Sequence, residues 1–462
     1  MMTSQNAIRT INPATNDPIK TYHLQPLHDV ERIADDAYRA FLSWREVAID
    51  SRAHYLLALA QALQDNKQCL SENMTRHMGK PITQSIAEVE QCAALCDYTA
   101  KHDIKQLRDE RRSLDNGYAF VTYQPLGVIL SIQPWNFPLY QIVRCSVPNL
   151  LAGNTMLIKH ASCVWGVAED FQSLCDNIGL PKHVLNMIYC DDETADDLIA
   201  HPAVRGVSMT GSAAGGSIVG AAAGKHLKKS ILELGGSDPY IILKDADINH
   251  AAHICVSARI ANSGQTCVNA KRFIIVEEIY DAFKDAFLNI MKNISYGDPM
   301  QDKTDMGPLA RYDVRDTLHK QVRDSINKGA VCLLGGEMPN GIGAYYPATI
   351  LEHVTPDMPA YNEELFGPVA SLIKAKDEED AIHIANDHKY GLGGGIFTQD
   401  IERGIKIART QLDTGMVNIN GYHGSQPHLP FGGVKHSGYG REHGGVGIRE
   451  FVNIKSIMIS ED

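Results

Sequence analysis

The feature that most constrains the fold is an alternation. From Ala119 onward, short β-branched segments are each preceded or trailed by a helical pattern. "AFVTYQPLGVILSIQPWNFP" is β-branched and aromatic and is broken by Pro125 and Gly127, which predicts two strands. "NTMLIKHA", "HVLNMIY" and "VRGVSMTGS" read as further strands. Parallel strands need long crossover connections, so alternation of this kind implies a doubly wound parallel sheet. The later half repeats the style. "KRFIIVEEIYDAFKDAFLNIMKN" is a strand followed by an amphipathic helix, and "AVCLLGG", "ATILEHV", "GGGIFTQD" and "GMVNING" are strands. The fold class is therefore α/β, organised as two α/β domains.

Residues up to about 105 read as helix-rich. "DVERIADDAYRAFLSWR" places Val30, Ile33, Ala34, Ala37, Ala40, Phe41 and Trp44 on one helical face. "SRAHYLLALAQALQDN" continues the helical pattern, with Ser51 as its N-cap. The segment 107–125 and the tail "IREFVNIKSIMIS" are strand-like but belong to neither domain.

Bulk numbers exclude several classes of function. A hydrophobic content of 44% and a charged content of 21% in 462 residues describe an ordinary globular chain. A net charge of −12 argues against a nucleic-acid footprint. The N-terminal residues lack a signal-peptide pattern and no run of apolar residues is long enough to span a bilayer, so a cytoplasmic chain with no membrane partner is expected. The ten cysteines contain no CxxC pair, so the usual zinc spacings are missing and no metal is expected. Cys92 and Cys96, four apart, read as one face of a buried helix, and free thiols are the default.

Five motifs can carry chemistry. In "SMTGSAAGGSIVG", Gly211 and Ser212 end a strand and Gly215 and Gly216 open a small-residue helix. Such a helix start favours a pyrophosphate, although the spacing is not GxGxxG and a packing turn reads equally well. Lys159 in "LIKHAS" stands at a strand end, where ligands of open α/β sheets bind; a solvated lysine is the alternative. Glu233 in "ILELGG" is a carboxylate inside an apolar strand, either a general base raised by burial or half of an ion pair. Asn136, set between prolines in "PWNFP", is either an oxyanion donor or a turn stabiliser. Cys267 in "ANSGQTCVNAKRF" follows a permissive Gly264 and precedes Lys271 and Arg272, whose charge would favour a thiolate.

Taken together, PWNFP, the strand-end lysine, TGS, ELGG, GQxC, EELFGPV and FGGVKHSGYGRE occur in one order over most of the chain. This set resembles the aldehyde dehydrogenase superfamily. The resemblance implies a Rossmann-like cofactor domain from 1–106 and 126–235, a catalytic domain from 236–430, and an oligomerisation arm of 107–125 with the tail 431–462. A homodimer or a dimer of dimers would follow. It also implies that Cys267 attacks an aldehyde, that Asn136 holds the oxyanion, and that Glu233 activates the water that hydrolyses the thioester. NAD or NADP would be held by Lys159, Ser212 beside Gly211, Glu364, Phe366 and Trp135. Ser162 stands where many NAD-specific members carry Glu, so use of both dinucleotides is expected.

For the substrate, Arg144 occupies the position that binds the substrate carboxylate in succinate-semialdehyde dehydrogenases. "IKHAS", "ELGGSDPY" and "AKRFIIVEE" resemble a short bacterial subgroup of these enzymes. A second arginine found in a longer subgroup is replaced by Ala261, and Arg259 lies on a helix end. Ser425 and Gln426 in "GYHGSQPH" are therefore assigned to the substrate. Asn269 stands where some relatives place a second cysteine, so no neighbouring thiol can pair with Cys267. A CoA-acylating enzyme and a non-enzymatic binding protein are the alternatives; Glu233 argues against the first, and the intact trio Cys267, Asn136 and Glu233 against the second.

Overall fold

The computed structural model describes residues 7–461. Two sheets dominate it. The first has six strands in the order Gly438–Tyr439, Lys229–Glu233, Val204–Thr210, Val128–Gln133, Thr155–His160 and Leu185–Ile188. All pairings except that of Gly438–Tyr439 are parallel. The strands are buried on both faces, as helix-covered parallel strands must be. Val128, Leu130 and Leu157 pack into one apolar cluster, and Ile129, Met156 and Ile158 into the other, following the two-residue period of a strand.

Chain order across this sheet reverses between Val128–Gln133 and Val204–Thr210. The first three strands run outward from 128 to 188, and the chain then returns to the other flank of Val128–Gln133. A reversal opens a crevice at the carboxyl ends of the two strands, because their following helices leave on opposite faces. The Trp135–Asn136 turn and the Gly211–Ser212 turn sit at those ends.

The second sheet has seven strands in the order Val331–Leu334, Thr349–Glu352, Val369–Ala375, Ala270–Val276, Asp238–Ile242, Gly395–Phe397 and Asn418–Ile419. Only the first of these is antiparallel to its neighbour. A separate antiparallel sheet joins Glu110–Leu114, Gly117–Pro125 and Val452–Ser460. The two strand-like segments that fitted neither domain thus pair with each other. Val452–Ser460 is an edge strand that exposes Ile454 and Met458.

Three details differ from the sequence reading. Residues 431–451, grouped there with the arm, pair outside it: Val434–Lys435 with Tyr390–Gly391 in a separate two-stranded sheet, and Gly438–Tyr439 with Leu232–Glu233 at the edge of the six-stranded sheet. Gly438 has φ +104° and a Cβ there would lie 1.9 Å from the Leu232 carbonyl oxygen, so only glycine brings this strand in. The helix containing Ser51 begins earlier, at Ile49, where no side chain caps it. A hairpin of Ala7–Ile11 and Pro18–His23, not anticipated, precedes the first helix. Among the described residues, no helix is long and apolar enough to cross a membrane.

Candidate active site

The Cys267 segment is held in an uncommon backbone conformation. After the helix Ile248–Ile260, the chain takes positive φ at Asn262 (54°), Ser263 (53°) and Gly264 (77°). Each non-glycine residue there costs about 1–2 kcal/mol, and dense hydrogen bonding offsets it. Asn262 Nδ2 donates to the Asn136 carbonyl (2.7 Å) and to that of Gln265 (3.1 Å). Arg259, fully buried, donates to the carbonyls of Gly264 (2.7 Å) and Ala270 (3.1 Å). Gln265 Oε1 accepts the amide of Ala310 at 2.9 Å. A Cβ on Gly264 would lie 2.2 Å from the carbonyl carbon of Gly367, so this turn packs main chain against main chain.

This bracing sets Cys267 at the floor of a cleft whose lining also includes Trp135, Asn136, Gly211, Ser212, Glu233, Glu364 and Phe366. The crevice of the six-stranded sheet and the nucleophile loop of the other sheet therefore share one cavity. Asn136 is 4% exposed and spends one amide hydrogen on the Gln265 carbonyl at 3.1 Å. Glu233 is 3% exposed, and neither carboxylate oxygen accepts a hydrogen bond in good geometry. Burial pushes its carboxyl up to about 7, with Arg144 pulling it down and Glu442 pushing it up. A carboxyl balanced near neutral pH, with neither oxygen held in a well-formed hydrogen bond, suits a general base.

Of the positive charge expected beside Cys267, Lys271 does pull the thiol down, as does Arg144, but burial outweighs both and Arg272 is occupied elsewhere. Lys271 Nζ donates to the carbonyls of Cys267 (2.6 Å) and Thr266 (3.0 Å) and pairs with Glu364 at 3.1 Å. Arg272 serves the carbonyls of Ser237, Ile384 and Ala385. Burial and the Glu233 carboxylate push the Cys267 thiol well up, so the resting group is a thiol and needs a base to become a nucleophile. Glu233 is the base in reach, since the thiol faces its carboxylate closely enough to favour the charged form.

The other end of the cleft fits a dinucleotide. Ser212 caps the helix Ala213–Lys225 by accepting the Gly215 amide at 3.1 Å. That leaves the first-turn amides of Ala213 and Ala214 without partners inside the helix, a ready site for a pyrophosphate. Trp135 and Phe366 meet edge to face, with ring centroids 5.6 Å apart. Glu364 Oε1 accepts the Gly236 amide at 3.1 Å. Lys159 stands at the end of Thr155–His160 with its ammonium on Asp192, and Ser162 opens a short turn just beyond.

A profile of the aldehyde dehydrogenase family matches residues 1–457. The chain belongs to the aldehyde dehydrogenase family. A succinate semialdehyde dehydrogenase [NAD(P)+] of Escherichia coli is 43% identical over 97% of both chains. A succinate-semialdehyde dehydrogenase [NADP(+)] of Deinococcus radiodurans is 39% identical over 97% of this chain and 94% of its own. Among solved structures, the succinic semialdehyde dehydrogenase of Streptococcus pyogenes with NADP+ has a TM-score of 0.95 at 37% identity, covering 98% of this chain and 100% of that one. A lactaldehyde dehydrogenase has a TM-score of 0.96 at 31% identity, covering 100% and 97%.

Within this aldehyde dehydrogenase frame, the expected substrate contacts are bonded inside the chain itself. Arg144 is not an open receptor for a carboxylate. It is 3% exposed, its Nε lies 2.7 Å from Glu442 Oε2, and its Nη2 donates to Thr210 Oγ1 at 3.0 Å and lies 3.5 Å from Glu233 Oε2. The guanidinium is shared between two acids of the chain itself. Ser425 Oγ accepts the Tyr140 hydroxyl at 3.0 Å, and that hydroxyl also meets His443 Nε2 at 2.9 Å. Gln426 contributes only its carbonyl, to the Leu429 amide. Neither Ser425 nor Gln426 lines the cleft over Cys267. Glu442, Tyr140 and His443 were missed, although Glu442 lies inside the quoted motif FGGVKHSGYGRE. Its signal was present, but its partner was not legible.

Proposed function

We propose that the chain oxidises succinate semialdehyde to succinate with NAD or NADP, through a covalent adduct on Cys267. Glu233 takes the thiol proton, and Sγ attacks the aldehyde carbon to give a thiohemiacetal whose oxyanion accepts the free amide hydrogen of Asn136. When bound, a nicotinamide dinucleotide supplies the hydride acceptor, and the loss of hydride leaves a thioester on Sγ. Glu233 releases the thiol proton to solvent and then removes a proton from water; hydroxide adds to the thioester, Sγ leaves as the carboxylic acid departs, and the thiolate takes the water-derived proton from Glu233. The observation that carries this reading is the meeting of Cys267, Asn136 and a buried Glu233 without a well-formed hydrogen bond at the switch point of a parallel sheet. Glu233 supports hydrolysis over transfer to CoA.

The carboxylate-bearing substrate rests on kinship with the semialdehyde dehydrogenases named above. The internal pairing of Arg144 favours the second reading, a neutral short aldehyde, and kinetics decide between them. A steady-state panel of semialdehydes and neutral aldehydes, run with NAD and with NADP, should give the highest kcat/KM for succinate semialdehyde. A neutral aldehyde turned over faster with both dinucleotides refutes the substrate. A homo-oligomer is supported by the exposed apolar side chains of the edge strand Val452–Ser460, since such edges recruit further strands. A cytoplasmic setting accords with ten free thiols.

A further inference from the structure

Two neighbouring strand ends meet at the carboxyl edge of the six-stranded sheet. In a doubly wound sheet, a carboxylate just past the second strand of the unit reads the ribose 2′-hydroxyl. Here the second strand, Thr155–His160, ends with Lys159 and leads to Ser162, so it offers an ammonium and a hydroxyl. The carboxylate arrives from the neighbouring strand instead. Leu185–Ile188 is followed by Asp191 and Asp192, which open the helix Asp192–Ala200. Asp191 is committed to the backbone, accepting the Thr194 amide at 2.9 Å. Asp192 reaches back and pairs with Lys159.

The two partners differ sharply in exposure. The Lys159 side chain is 12% exposed and that of Asp192 is 93% exposed. The carboxylate therefore covers the ammonium from the solvent side, and among the described residues it has no other hydrogen-bond partner. It can turn toward a ligand without breaking anything else.

We propose that Asp192 discriminates between the two dinucleotides, accepting the 2′-hydroxyl of NAD and repelling the 2′-phosphate of NADP, and so tilts toward NAD a site that Lys159 and Ser162 leave open to both. The inference rests on the proposed use of NAD or NADP. An isolated exposed ion pair contributes little to stability, but a carboxylate about 6 Å from a doubly charged phosphate changes binding by on the order of tenfold even at the dielectric of water. Exchanging the charged acceptor of the 2′-hydroxyl for a neutral one adds a further factor of a few against NAD.

The test is the ratio of dissociation constants for NADPH and NADH, read by fluorescence titration of the full chain and of Asp192→Asn. Asparagine keeps the size and removes the charge. The ratio should shift toward NADPH by about tenfold or more, and the NADPH part of the gain should shrink between about 0.02 and 0.5 M salt, as screening requires. A ratio that moves less than about twofold, or an equal weakening of both ligands, overturns the proposal, because Asp192 would then only position Lys159. Binding is read without turnover. A chain that oxidises no aldehyde would refute the proposed reaction and leave this ratio to be decided separately.

Discussion

Replacing Glu233 with glutamine removes a charge that the folded chain holds unfavourably. Burial shifts the carboxyl from its ordinary 4.5 to about 7, and each unit corresponds to about 1.4 kcal/mol, so the ionised form costs the fold about 3 kcal/mol. Below pH 4.5 the group is protonated in both states and the cost is nil. Between 4.5 and 7 the unfolded chain ionises while the folded chain keeps its proton, and the cost grows; above 7 it is complete. The substitution leaves no new orphan cation, since Arg144 keeps Glu442 at 2.7 Å. Glu233→Gln should therefore be more stable than the parent, and its advantage in urea unfolding should grow by about 2 kcal/mol from pH 5.5 to pH 8.5. Turnover should fall by about a hundredfold or more in the same protein, and the rise of the parent's rate through pH 7 should disappear. An advantage equal at both pH values, or a loss of stability at pH 8.5, would refute the reasoning.

Three further outcomes are expected. Asn136→Ala should lower kcat by about 10²–10³ with dinucleotide affinity retained in a fluorescence titration. Arg144→Ala removes the cation that holds the Glu233 carboxyl down, so the acid limb of the rate profile should move above pH 7. Charging the exposed edge with Ile454→Asp and Met458→Asp should dissociate the proposed homo-oligomer, measured by light scattering, while leaving the thermal transition of each chain within a few degrees.

Much of the fold was legible because its strands are β-branched runs bounded by Gly and Pro, as at Pro125 and Gly127. Glu233 and Asn136 stood out because a carboxylate in an apolar strand and an amide between prolines are locally unusual. Other features had no local signal. The positive φ of Asn262 and Ser263 depends on what Arg259, Asn136 and Gln265 bond to, not on the residues themselves. Lys271 and Arg272 both follow Cys267 closely, yet the strand Ala270–Val276 keeps Lys271 near enough to favour the thiolate and carries Arg272 to backbone carbonyls, so proximity along the chain held for one and failed for the other. Arg144 was read as a receptor because its partner, Glu442, lies far downstream, and only the fold brings the two together.

The pairing of Gly438–Tyr439 with Leu232–Glu233 bears on how the protein is made. The strand that carries the base remains an open edge throughout synthesis of everything between them, and the segment that closes it also delivers Glu442 to Arg144. A ribosome that stopped short of residue 438 would release a chain already holding Cys267, Asn136 and Glu233, but with the base strand unfastened and the arginine short of one of its two acids. Competence should thus arrive late and abruptly during translation, and truncated products should react with thiol alkylators without completing a turnover.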